Sequence, residues 1–191
     1  MIYYNIDNLI VDLDGTLISK ELSKKAFEEI YSRAIARLEE KGTFVAEEYK
    51  TPNFYNFRKI SKEVKEFIPL FLEEYERIFE KFKDELEREK DRAQKIYEFL
   101  LLKYKPKNVC ILTANSKGKD IARIILPNIP EDNVIIVNGV NYEEEKRKFL
   151  EKLEDDTLYV ADDIVDEKIA KEAGVEFLNI REVEKELFKN I

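Results

Sequence analysis

The sequence predicts an α/β fold, a parallel five-stranded sheet with an all-helical insertion after the first strand. Five short apolar runs have the length and composition of buried parallel strands, and helical patterns separate the later ones. Residues 19–105 contain only helical patterns. Alternating strands and helices favour a parallel sheet with helices on its faces. We therefore predict a core of residues 1–18 and 106–191, and a helical domain of residues 19–105.

The predicted core elements follow one another closely. The first strand covers residues 8–12, and Gly15 follows it in a sharp turn. Gly174 has the position of a helix-ending residue. The later strands are predicted at 108–113, 133–137, 157–161 and 175–180, and the helices at 116–126, 143–154, 166–173 and about 182–188.

The insertion has its own helical signals. Apolar residues recur every four positions from Leu22 to Leu38, and Gly42 ends that stretch. Thr51 and Pro52 suggest an N-cap followed by a proline at the first helical position. Apolar residues at helical spacing up to Leu100 indicate one or two long helices, whose aromatic side chains we expect to pack together.

Composition excludes several kinds of chemistry. The chain has no histidine, which excludes Ser-His-Asp and Cys-His catalysis and argues against a zinc hydrolase. Its single cysteine, Cys110, lies in an apolar run, so we expect a buried thiol rather than a nucleophile. Any proton transfer in catalysis must then use carboxylates, lysines, tyrosines or a metal-bound water.

The charge is unevenly distributed. The net charge is −8, with +1 over residues 19–105 and −9 over the rest. There is no basic stripe to bind nucleic acid, no apolar run of about 18 residues to span a membrane, and no apolar leader. We expect a cytoplasmic protein of undetermined oligomeric state.

The composition also bears on thermal stability. Few Gly, Pro, Cys and Met residues beside many Lys, Glu and Ile favour a thermophilic source. Measuring the melting temperature of the protein would test this expectation.

Carboxylates collect where predicted strands end. Asp12 and Asp14 close the first strand, and Asp162, Asp163 and Asp166 follow the run at 157–161. Such groups repel one another unless a cation lies between them. Asp163 and Asp166 also suit the capping and charge preferences of a helix N-terminus. Asp162, which directly follows the strand, is the stronger candidate for a metal ligand.

Two further segments carry groups that could bind an anion. Thr113 ends an apolar strand, and Ala114 and Asn115 lead into a helix whose first N–H groups can bind an anion. On the helix at 143–154, Lys146 borders the apolar face formed by Phe149 and Leu150, whereas Lys148 points further away.

Together these segments resemble the four motifs of the haloacid dehalogenase superfamily. Residues 12–16 match its DxDGT motif, Thr113 its Thr/Ser motif, and Lys146 or Lys148 its lysine. Asp162 to Asp166 resemble its acidic motif, with Ala161 where glycine is usual. The resemblance implies a Rossmann-like core and identifies the insertion as a helical cap.

The resemblance also implies a Mg²⁺-dependent phosphatase that cleaves a small phosphorylated metabolite. Asp12 would be the nucleophile that forms an aspartyl-phosphate, and Asp14 the acid and base. Asp12, Asp14 and Asp162 would hold the metal, supported by Asp166 or Asp163. The phosphate would be held by Thr113, Lys146 and the backbone N–H groups of Leu13, Asp14, Ala114 and Asn115.

Two other interpretations remain open. A phosphomutase of the same superfamily differs mainly in what intercepts the aspartyl-phosphate. A non-hydrolytic phosphoacceptor or binding protein, such as a receiver domain, uses similar residues in a different order and lacks the large insertion.

Overall fold

A five-stranded parallel sheet forms the centre of the core. A computed structural model of the chain describes residues 4–189. The strands are β1 (Asn8–Val11), β2 (Asn108–Thr113), β3 (Val134–Ile136), β4 (Thr157–Ala161) and β5 (Glu176–Asn179), in the order β3-β2-β1-β4-β5. The predicted α/β fold class is confirmed.

The sheet places the ends of three strands side by side. Val11, the last residue of the central strand β1, pairs with Ile111 of β2 and Val160 of β4. The chain order reverses at β1, and such a switch point at the carboxyl edge is where α/β sheets bind ligands. Residues that directly follow these strands therefore share one edge.

The helices show why the predicted boundaries need small corrections. They are α1 (Lys20–Glu40), α2 (Phe54–Glu63), α3 (Phe67–Tyr104), α4 (Gly118–Ile125), α5 (Tyr142–Glu151), α6 (Ile164–Ala173) and α7 (Ile180–Leu187). Gly174 ends α6 with a positive φ of 76°, as predicted. The N-cap predicted at Thr51 was wrong, because α2 begins after Asn53, whose side chain accepts a hydrogen bond from the Asn56 N–H at 2.7 Å.

The chain divides into two compact units. The core unit contains residues 1–20 and 86–191, and the helical unit contains residues 21–85. The interval proposed from the sequence, 19–105, also includes the second half of α3, which belongs to the core unit. No helix within residues 4–189 is long and apolar enough to cross a membrane.

Each unit has its own apolar interior. In the core unit, Ile10 and Leu112 of the sheet pack with Leu150 of α5 and Ile169 of α6. In the helical unit, aromatic side chains pack on one another as predicted, with the ring centroids of Phe57 and Phe71 5.0 Å apart. The described residues of the helical unit contain no β-strand.

Candidate active site

The two carboxylates of the first motif follow β1 directly but have different surroundings. Asp12 is buried, and its backbone N–H donates to the carbonyl of Val160 in β4. Asp14 is half-buried, and the side-chain amide of Asn115 donates to its Oδ2 at 3.1 Å. One carboxylate is thus held inside the sheet edge, while the other faces the loop after β2.

Gly15 turns the chain between these carboxylates and the next segment. It has a φ of +78°, and a Cβ atom added there would lie 2.6 Å from Oδ2 of Asp162. The position therefore requires glycine for its backbone conformation and for the close approach of a carboxylate. Sequence reasoning predicted the turn but not the contact with Asp162.

Lys146 projects from α5 into this edge of the sheet. Its ammonium Nζ lies 3.2 Å from Oδ1 of Asp12 and 3.1 Å from Oδ1 of Asp166. The third contact is the hydroxyl of Tyr159 at 2.9 Å. Lys148, in contrast, has 58% of its side chain exposed and pairs with Glu144 of the same helix. Of the two candidate lysines, the structure places Lys146 beside the predicted nucleophile.

The acidic segment after β4 divides into two environments. Asp166 is buried in the first turns of α6, whereas Asp163 is exposed and caps that helix by accepting a hydrogen bond from the Val165 N–H. Carboxylate oxygens of Asp12, Asp162 and Asp166 lie within 4.8 Å of one another and could hold a metal ion. An all-oxygen donor set of this kind suits a hard divalent cation such as Mg²⁺.

The electrostatics of these carboxylates agree with that assignment. Burial raises the pKa of Asp12 to about 8, and the charges of Asp166 and Asp14 add to the rise while Lys146 opposes it. Burial also raises the pKa of Asp162 to about 6. One ammonium therefore does not balance this group of carboxylates, and a bound divalent cation would stabilise their ionised forms.

The loop after β2 brings the predicted phosphate-binding residues together. Thr113 is buried, and its Oγ1 accepts a hydrogen bond from the backbone N–H of Asn115 at 3.0 Å. Oδ1 of Asn115 accepts from the Lys117 N–H at 2.9 Å, which turns the amide nitrogen towards Asp14. Ala114 lies half-buried between these residues.

Leu13, another residue predicted to bind phosphate through its backbone N–H, directly follows Asp12. It is fully buried, and its backbone N–H lowers the pKa of the neighbouring Asp12 carboxyl, which opposes part of the rise caused by burial.

Three residues near the site were not identified from the sequence. Tyr159 contacts Lys146 and Asp166 from within β4. Gly118 begins α4, where a Cβ atom would lie 2.7 Å from the methyl group of Thr113. Arg92 of α3 donates to the carbonyls of Thr16 and Leu17, just beyond the first motif. Their roles depend on three-dimensional contacts, which for Arg92 join segments about 75 residues apart, and no local sequence pattern indicates them.

Comparisons with known proteins identify the architecture. No family model matches the chain, and no curated protein matches it. Among solved structures, a haloacid dehalogenase-like family hydrolase from Streptococcus pneumoniae aligns over 91% of this chain and 84% of its own, with 14% identity and a TM-score of 0.51. Protein tyrosine kinase A of Mycobacterium tuberculosis aligns over 92% of this chain and 83% of its own, with 20% identity and a TM-score of 0.44. The chain thus has a Rossmann-like α/β fold similar to that of the streptococcal hydrolase.

Proposed function

We propose that this protein is a Mg²⁺-dependent phosphatase that hydrolyses small phosphate monoesters through an aspartyl-phosphate. The observation that carries the proposal is the buried arrangement at the carboxyl edge of the sheet. There Asp12 contacts the ammonium of Lys146 and lies in a carboxylate group able to hold a cation. Asp14 follows two residues later, in contact with Asn115. The fold shared with a haloacid dehalogenase-like hydrolase supports the same reaction class.

In the first half-reaction, the Asp12 carboxylate attacks phosphorus as the bond to the ester oxygen breaks. The leaving alkoxide needs a proton, which Asp14 in its protonated form donates. The products of this step are a free alcohol and an acyl phosphate on Asp12. The hydrogen bond from Asn115 supports this role because it orients the Asp14 carboxyl group.

In the second half-reaction, water attacks the same phosphorus. Asp14, now ionised, takes a proton from that water, and the bond between phosphorus and the Asp12 oxygen breaks. Inorganic phosphate leaves, and both carboxyl groups return to their starting states. The cycle needs neither histidine nor a redox partner, consistent with a chain that contains no histidine.

The remaining groups would bind and neutralise charge. We assign Asp12, Asp162 and Asp166, with the Asp14 backbone carbonyl, as the residues that hold Mg²⁺. The bound ion supplies charge neutralisation for the phosphoryl group. The Thr113 hydroxyl oxygen accepts from Asn115, so its hydrogen can point towards a phosphoryl oxygen. Lys146 acts mainly by its charge, because its N–H groups contact Asp12, Asp166 and Tyr159.

We further propose that the helical unit favours small substrates. Glu89 of α3 accepts hydrogen bonds from the backbone and hydroxyl of Ser19, and Arg92 contacts the carbonyls of Thr16 and Leu17. The chain therefore leaves and re-enters the core unit beside the end of β1. In the superfamily that the motifs resemble, an insertion at this point is a cap that favours small phosphate esters over proteins.

Phosphate release by the intact chain of residues 1–191 tests the function. With Mg²⁺, we expect turnover of sugar phosphates, nucleotides or similar esters, and little turnover of a phosphopeptide. EDTA should abolish activity, Mg²⁺ should restore it, and Ca²⁺ should restore it poorly because Ca²⁺ prefers longer bonds and more ligands. Equal activity with both metals would contradict the site, and a preference for the phosphopeptide would contradict the substrate class. Phosphorylation of Asp12 without release of phosphate would instead indicate a phosphoacceptor.

Replacing Asp14 separates the two half-reactions. In Asp14→Asn, hydrolysis of an alkyl phosphate should slow by about 10²–10⁴-fold, because the leaving alkoxide receives no proton. With p-nitrophenyl phosphate, whose leaving group departs as p-nitrophenolate without a proton, an initial burst of p-nitrophenolate should appear, because the first half-reaction stays fast while the second slows. Rapid-mixing kinetics with both esters measures this difference. An unchanged rate on the alkyl ester would refute the acid–base role.

A further inference from the structure

We propose that Tyr159 is a positioning residue, whose hydroxyl fixes Lys146 and Asp166 in the orientation needed to bind the metal. The inference rests on the proposed function, since it assumes that Asp166 holds the cation. Tyr159 belongs to the apolar run of β4 and is fully buried. For packing alone, phenylalanine would serve as well, so the question is what the hydroxyl does.

The hydroxyl forms two hydrogen bonds of fixed direction. An ammonium has only donors, so Oη of Tyr159 accepts from Lys146 Nζ at 2.9 Å. Its single hydrogen is then available to Oδ1 of Asp166, 2.7 Å away. The Tyr159 hydroxyl therefore accepts from the Lys146 ammonium and donates to the Asp166 carboxylate, and the reverse arrangement is excluded.

These bonds orient the Asp166 carboxylate. Oδ1 receives both the Tyr159 hydroxyl and the Lys146 ammonium, the latter at 3.1 Å. Two donors on the same oxygen restrict rotation of the carboxylate and direct the cation towards its other oxygen. Partners that hold a ligand in this way contribute strongly to metal affinity.

The same bonds hold the ammonium of Lys146. Its three hydrogens have three acceptors in the structure, namely Asp12, Asp166 and Tyr159. Removing the hydroxyl would leave a buried N–H without its acceptor and allow the ammonium to shift towards a carboxylate. Such a shift would increase the competition between Lys146 and the cation for the same oxygens.

Metal binding without substrate tests this role. In titration calorimetry with MgCl₂, we expect Tyr159→Phe to bind Mg²⁺ about 10-fold or more weakly than wild type. The matched control is Tyr31→Phe, which removes an equally buried hydroxyl that donates to the Tyr49 carbonyl in the helical unit. This control should retain the wild-type affinity, although it too loses a buried, hydrogen-bonded hydroxyl.

The outcomes distinguish this inference from the proposed function. Wild-type affinity in Tyr159→Phe, with the wild type binding Mg²⁺, would overturn the role of Tyr159 and leave the phosphatase proposal standing. Absence of Mg²⁺ binding in the wild type would overturn both. A Tyr159→Phe protein that stays unfolded by circular dichroism in saturating Mg²⁺, while Tyr31→Phe folds, would show that the hydroxyl serves folding and would also overturn the inference.

Discussion

The variant Asp12→Asn should lose steady-state phosphatase activity, to below about 1% of wild type, because a neutral amide is a poor nucleophile. The fold should survive, since asparagine has nearly the same shape and the site already carries excess negative charge. Lys146 would keep its contacts with Asp166 and Tyr159. Phosphate release and circular dichroism measure the two effects separately.

The matched control for this variant is Asp163→Asn. It makes the same chemical change at an exposed carboxylate that caps α6. Asparagine is an equally good N-cap, so both stability and activity should stay close to wild type. Mass spectrometry after acid quenching should find a phosphoryl group on Asp12 of the wild type and none in Asp12→Asn. Residual turnover above the expected limit would exclude Asp12 as the sole nucleophile.

The strands could be predicted because their signal is local. A buried parallel strand is apolar on both faces, so a run such as residues 157–161 can be recognised as a strand before its pairing partners are known. Helix boundaries were less certain, because several residues compete as caps. Asn53 rather than Thr51 caps α2 since its side chain reaches the Asn56 N–H.

The domain boundary shows a different limit of sequence reasoning. The helical pattern of α3 is continuous from Phe67 to Tyr104, and nothing in its periodicity marks a change of environment. The structure nevertheless assigns its residues up to 85 to the helical unit and the later ones to the core. Contacts of Glu89 and Arg92 with residues 16–19 hold this second half. Such contacts join segments about 70 residues apart.

The proximity of the carboxylates at the strand ends could be predicted from the sequence because of the topology of a parallel sheet. Parallel strands end at one edge, so Asp12 and Asp162 could be expected to lie together once the strands were assigned. Tyr159 could not be found in this way, because its ring satisfies the apolar pattern of β4 and conceals the hydroxyl. The direction of the Asn115 amide likewise depends on the turn that Lys117 completes.

The second large effect is expected from Lys146→Met compared with Lys148→Met. Both lysines lie on α5, and methionine keeps the length and helix propensity of the side chain. Lys146→Met should reduce kcat/KM by about 10²–10³-fold, the cost of removing one electrostatic contact to the reacting group. It should also weaken binding of beryllofluoride, a phosphate mimic. Lys148→Met removes only an exposed pair with Glu144 and should leave both measurements close to wild type.

Stability with and without Mg²⁺ distinguishes a charge role from simple packing. Without a cation, Lys146→Met leaves the buried carboxyl groups of Asp12 and Asp166 without their ammonium. This should lower the free energy of unfolding by at most about 3–5 kcal/mol, because Asp12, whose pKa burial already raises to about 8, can take up a proton instead. Mg²⁺ should recover part of that loss, because a divalent ion on Asp12, Asp162 and Asp166 neutralises the same charge. Urea unfolding of both variants, with Mg²⁺ or EDTA, measures the difference. If Lys148→Met lost as much activity as Lys146→Met, or if Mg²⁺ stabilised neither wild type nor Lys146→Met, the assignment of Lys146 as the neutralising cation would be wrong.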